Sequence, residues 1–175
     1  MWQIEDLIRA NNLDIEKIKE NVIDRFSLDD AQRREMTEWY ESLIDMMRRE
    51  DVVKSGHLQI NKNVIVQLVQ LHRALLADPR FAEYSAEFYR TLPFIVELRA
   101  KAGENPAGEI ETCFNALYGM LMMRLQSKEV TPETANAIAQ ISRFIALLAH
   151  YFKLDDEDRL FNPDNNESDK GTVEH

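Results

Sequence analysis

Histidine, cysteine and paired carboxylates are the side chains with which a helical protein holds a metal or attacks a substrate; this sequence has four histidines, His57, His72, His150 and His175, and one cysteine, Cys113. A metal site on one helix needs a second histidine or a carboxylate three or four residues away, because that spacing turns both ligands to the same face. His72 has Leu68, Val69, Leu75 and Leu76 at those distances, and His150 has Ala146, Leu147, Lys153 and Leu154. Neither the Glu-x-x-His pairs of a di-iron bundle nor the His-Glu-x-x-His of a zinc peptidase is present, so no metal and no other cofactor is expected. Cys113 shares a stripe with Ile110 and Leu117 and reads as a small buried hydrophobe, since the nearby Glu109 and Glu111 oppose a thiolate.

Other motifs fail at specific positions. Gly103 and Gly108 have the spacing of a phosphate-cradling loop, but Glu109-Ile110 stands where Lys-Ser or Lys-Thr is required. Asp164-Asn165-Asn166 opens like a calcium loop; its sixth position is then Asp169 in place of glycine and its twelfth His175 in place of glutamate. No serine has the flanking glycines of a nucleophile elbow. No catalytic residue is assigned. What remains is a set of polar residues in apolar settings: His72, Arg99, Glu111, Asn115 and Tyr118. If these converge on one cavity they line a ligand pocket. The plainer reading is that His72 is hydrogen-bonded inside the core and that the amide and phenol satisfy neighbouring backbone or fix helix register.

The elements that must position these residues are helices. A chain of 175 residues suits one folded unit, and five glycines and five prolines are too few for a β-sandwich or barrel. After an early segment marked by Trp2, Ile4, Leu7 and Ile8, the residues Ile15, Ile18, Val22 and Phe26 form a stripe behind Asp14. Ser27 is the expected cap of a helix running to Lys54, with Met36, Tyr40, Leu43 and Met47 on its buried side. Asn61 or Asn63 is expected to cap the next, with Val64, Leu68, Leu71 and Leu75. Ser85 is expected to cap a helix that kinks or breaks at Pro93 and closes at Gly103. From Ile110 to Leu125, 11 of 16 residues are apolar, which predicts a central helix that another approaches closely at Gly119. Thr131-Pro132-Glu133 opens the last helix, with Ile138, Ile141, Ile145, Leu148 and Phe152. The first segment has no cap ahead of it and reads as a helix entered midway, with an upstream stretch expected.

Formal net charge is −10, of which residues 155–175, with eight acids and two bases, supply −6. A chain without a net basic face is a poor binder of nucleic acid or anionic membrane. The clusters Arg33-Arg34 and Arg48-Arg49 read as a solvated face paired with Glu38 and Asp45. A lone cysteine fits a reducing, cytoplasmic compartment. No run of 18 apolar residues predicts a membrane span.

Four stretches are distinctive: Met1-Trp2-Gln3-Ile4-Glu5-Asp6-Leu7-Ile8-Arg9, Gly56-His57-Leu58-Gln59-Ile60-Asn61-Lys62-Asn63, Leu92-Pro93-Phe94-Ile95-Val96-Glu97-Leu98-Arg99 and Glu111-Thr112-Cys113-Phe114-Asn115-Ala116-Leu117-Tyr118-Gly119. Together they resemble a family of short helical bacterial proteins that forms a domain of unknown function. The resemblance covers about residues 1–154, implies a further basic segment ahead of Met1, and brings no activity or cofactor with it.

The expectation is an all-α protein: a single bundle of six or seven helices over residues 1–154, followed by a disordered acidic tail over 155–175. The leading function is a non-enzymatic cytoplasmic module for protein interaction or scaffolding, self-associating as a homodimer or binding another protein. The alternative is a helical enzyme or small-molecule-binding protein using the five-residue pocket.

Overall fold

Apolar side chains at three- and four-residue spacing, separated by polar caps, form seven α-helices in the computed structural model, which describes residues 2–103, 106–157, 160 and 161. They are α1 (Trp2–Ala10), α2 (Ile15–Asn21), α3 (Asp30–Arg49), α4 (Gln59–Ala77), α5 (Ala82–Lys101), α6 (Glu109–Leu125) and α7 (Pro132–Asp156), with 3-10 turns over Ile23–Arg25 and Pro79–Phe81. Among the described residues there is no strand, and no helix is long and apolar enough to cross a membrane.

Where helices begin and end depends on which polar group wins the free backbone groups. α3 is capped by Asp29 rather than Ser27. The Asp29 carboxylate accepts from the Ala31 and Gln32 N–H groups while Gln32 Oε1 accepts from the Asp29 N–H, a reciprocal box for which Ser27 is two residues too early. α3 also stops well before Lys54. The Asp51 N–H donates to the Arg48 carbonyl and the Val52 N–H to the Met47 carbonyl, with Asp51 at φ +54°. The same closure ends α1 at Asn12 (φ +58°) and α6 at Ser127 (φ +53°). Three left-handed turns are thus made without glycine, so a search for Gly stop signals does not see them.

α4 starts at Gln59, before either expected asparagine cap; its first N–H groups are taken by carboxylates instead, Glu5 accepting from Leu58 and Glu50 from Gln59. Asp78 caps the turn at Pro79–Phe81, which leads straight into α5 and leaves Ser85 inside the helix. α5 runs unbroken through Pro93. Pro93 is exposed, as is Tyr89, whose carbonyl loses its helical donor, so the ring costs one bond on the outer side of the helix. Thr131 caps α7 with Pro132 in the first turn, as expected.

The helices gather into two compact units, Met1–Val64 and the chain from Ile65 onward. The first unit packs Ile8, Ile18, Ile23, Tyr40, Leu43, Ile44, Met47, Val52 and Leu58 together. The second has a larger core built on Leu71, Leu75, Tyr84, Phe88, Ile95, Ile110, Cys113, Ile141, Phe144 and Leu148. Here α5 and α7 are further joined by Gln140, whose Nε2 donates to Glu87 Oε1 (2.7 Å) and Thr91 Oγ1 (3.1 Å).

Two expectations about α6 change. It packs on α5 and α7, but Leu121 and Leu125 are 36% and 63% exposed, so it is an outer helix in its second half. Apolar composition alone does not place neighbours around a helix. Gly119 has open space where a Cβ would stand, so no described residue approaches it closely. The acidic segment also begins later than Asp155: α7 continues to Asp156, Leu160 packs against the second core, and the Phe161 ring meets Phe81 edge-on at 5.7 Å. Leu160 and Phe161 are held by apolar contact that the surrounding acidic residues hide in the sequence. The disordered tail is expected over 155–175, and of these residues 158, 159 and 162–175 lie outside the described residues.

Candidate functional site

The five residues expected to line a pocket are placed in unlike surroundings within the second unit. His72, on α4, is 4% exposed, and its Nδ1 lies 2.7 Å from the Tyr84 hydroxyl on α5. Arg99, near the end of α5, is half-buried, with its Nε out of water and, among the described residues, unbonded. On α6, Glu111 and Tyr118 are half-buried and Asn115 is exposed. His72 therefore faces the interior while Asn115 faces solvent.

Burial also sets the chemistry of the nearby titratable groups. The His72 imidazole is held below the ordinary histidine value, chiefly by burial, with Glu109 pulling the other way and Arg73 adding to the depression. Burial pushes the Cys113 thiol up to about 12, with Glu109 adding to it, and Cys113 is wholly buried. That thiol is not a nucleophile near neutral pH. Tyr84 is likewise raised by burial.

A groove opens on the surface of the same unit. Leu117, Met120, Leu121 and Arg124 of α6 form one wall and Ala135, Ile138, Ala139 and Ser142 of α7 the other, around about 270 Å³. Apart from Arg124, its lining comes from two stretches without a charged residue, Thr112–Met123 and Thr134–Ser142, in a chain that is 30% charged. A second cleft of about 240 Å³ lies between α4 and the end of α7 and is lined by Gln67, Gln70, Leu71, Phe152, Asp155 and Asp156.

The first unit contains a polar constellation that the sequence did not suggest. Glu5, on α1, is 1% exposed. Its Oε1 accepts from the Leu58 N–H (2.9 Å) and Asn61 Nδ2 (2.6 Å), and its Oε2 lies 2.6 Å from His57 Nδ1. Trp2 stacks on the His57 ring at 4.6 Å, and the Arg9 guanidinium donates to the Val52 and Gly56 carbonyls. One buried carboxylate with three partners thus fastens α1 to the start of α4. The available signal was position: Glu5 lies three residues after Trp2 and three before Ile8, on the apolar side of α1.

A model of the family described as "Domain of unknown function (DUF4924)" matches residues 1–159. The chain belongs to that family. Comparison with curated proteins and with solved structures finds no match. The range matched to DUF4924 includes all seven helices. Of the four distinctive stretches, the first two meet in the Glu5 network, which takes Trp2, Glu5 and Arg9 from one and Gly56, His57, Leu58 and Asn61 from the other.

Proposed function

We propose that this chain is a non-enzymatic helical interaction module, cytoplasmic and bacterial, that pairs with a second copy of itself through the α6–α7 groove. The observation that carries this is the groove itself: open, and lined, apart from Arg124, by the uncharged stretches Thr112–Met123 and Thr134–Ser142. Copies carrying a net charge of −10 repel one another wherever their acidic surfaces meet, and a face lined without an acid is where that repulsion is weakest. A two-fold contact would set the exposed Leu121 and Leu125 of each copy against the groove of the other, covering side chains that a monomer leaves in water. The bacterial assignment rests on the sequence resemblance, and the cytoplasmic one on the lone, buried, free Cys113.

Light scattering and sedimentation of the full chain at micromolar concentration test the proposal. A dimer is expected, and Leu121→Glu, which places an acid at the groove, returns it to monomer while the circular dichroism spectrum stays helical. A strict monomer, or a dimer indifferent to Leu121→Glu, overturns it. The alternative pocket of His72, Arg99, Glu111, Asn115 and Tyr118 draws less support, because His72 is bonded inside the core and Asn115 is in solvent.

A further inference from the structure

His72 is a titratable group enclosed by aromatic rings. Its ring lies 4.7 Å from Phe88, 5.8 Å from Tyr84 and 5.9 Å from Phe144, steeply inclined to each. Nδ1 meets the Tyr84 hydroxyl at 2.7 Å, and Nε2 lies 3.9 Å from Oε2 of Glu109, the first residue of α6. The second distance is too long for a hydrogen bond yet close enough for attraction. In a neutral imidazole one nitrogen donates and the other accepts. The Glu109 carboxylate favours the hydrogen on Nε2, which leaves Nδ1 to accept from the Tyr84 O–H.

Adding a proton to this ring places it on Nδ1, where the Tyr84 hydroxyl hydrogen already points. The hydroxyl must then turn, accept from Nδ1 and find another acceptor among apolar rings. Arg73, beside His72 on α4, opposes the new charge. From α7 the ring meets Phe144, which carries no charge. Tyr84 faces Cys113 on α6 and Tyr151 on α7, both held protonated by burial, so neither offers a counterion. Glu109, its side chain 39% exposed, can supply one by closing the 3.9 Å gap, and that movement pulls on the first turn of α6.

We infer that His72 is an acid-operated latch between α4 and the start of α6: neutral, it is bonded to Tyr84 and the aromatic core is closed; protonated, it reverses that bond and draws Glu109 inward, loosening the first turn of α6. The sign follows from burial. The folded-state value lies below the ordinary 6.5, so the opened state binds the proton more readily and acid favours opening. Stability from this site is complete above about pH 6.5 and is lost as pH falls from there toward the folded value.

The test is an NMR titration of the full chain that follows the His72 ring together with hydrogen exchange of the Cys113 and Phe114 amides, corrected for the intrinsic pH dependence of exchange. His72 is expected to titrate below the ordinary histidine value of 6.5, and the opening constant of the first α6 turn to rise by up to about tenfold per pH unit across the window. Glu109→Gln should move the His72 titration to lower pH, because the counterion is gone. His72→Gln, which can still accept from Tyr84 but cannot be protonated, should abolish the acid-dependent loss of protection. The inference is overturned if His72 titrates at the ordinary value while α6 protection holds, if Glu109→Gln leaves the titration in place, or if His72→Gln opens with acid as steeply as the wild type. Should His72→Gln fail to fold, the titrations of the wild type and Glu109→Gln still decide.

Discussion

Each compact unit buries an ionisable side chain, and the two satisfy it in opposite ways. In the first, the charge-bearing atoms of Glu5 have three partners brought by the chain, the Leu58 N–H, the Asn61 amide and the His57 ring, and the histidine itself is 30% exposed. In the second, His72 is almost wholly enclosed, has the neutral Tyr84 hydroxyl as its hydrogen-bond partner, and keeps its nearest carboxylate at 3.9 Å. A buried charge surrounded by donors fastens structure together, whereas a buried neutral base without a close counterion is sensitive to the next proton. The cores differ in the same sense. The first unit's core is mostly aliphatic, while around His72 the second packs Tyr84, Phe88 and Phe144.

Substitutions can sharpen or break this contrast. The largest loss is expected from Phe144→Ala, which removes the ring that touches His72, Tyr84 and Phe88 from a fully buried site and costs about 3–5 kcal/mol. Both tryptophans, Trp2 and Trp39, lie in the first unit and four of the five tyrosines in the second, so urea denaturation followed by tyrosine circular dichroism and by tryptophan fluorescence weights the two responses differently. A loss read equally by both probes would contradict an effect local to the second core. Glu5→Ala leaves the donors around it unpaired and should cost about 3 kcal/mol on the fluorescence-detected transition, with Glu5→Gln in between. If Glu5→Ala costs less than about 0.5 kcal/mol, the network does not hold α1 in place.

Smaller effects are expected where both units share a device. Asp51 in the first and Ser127 in the second occupy left-handed turns that favour glycine, so Asp51→Gly and Ser127→Gly should each stabilise by about 1 kcal/mol in thermal denaturation. Destabilisation by either would mean that its side chain makes a contact worth more than the strain. The smallest effect belongs to Asp45→Ala, which breaks exposed pairs with Arg48 and Arg49 at 3.7 and 3.9 Å and should shift stability by less than about 0.5 kcal/mol.

How far the sequence could be read depended on the range of each interaction. The last helix was legible from Thr131 to its core residues Ile141, Ile145 and Leu148, because cap, proline and stripe all act within a few residues. The buried sides of α3, at Tyr40, Leu43 and Met47, and of α4, at Leu68, Leu71 and Leu75, were equally local. Asn61 resembles a cap locally because its partner Glu5 is 56 positions away, and the role of Glu5 is hidden by the same separation. The pocket residues were chosen for polar type on an apolar helix, a property that does not say whether the side chain at Asn115 ends in the core or in water.

The sequence alone determined that this chain is helical, and largely where the helices lie, since backbone bonding and capping join residues no more than about one turn apart. Tertiary structure decided that the helices gather into two compact units, that Glu5 meets three donors while His72 meets one hydroxyl, and that the apolar side of α6 stays partly uncovered. Those outcomes require segments distant along the chain to come together, and a periodic pattern states that a face is apolar without naming what will cover it.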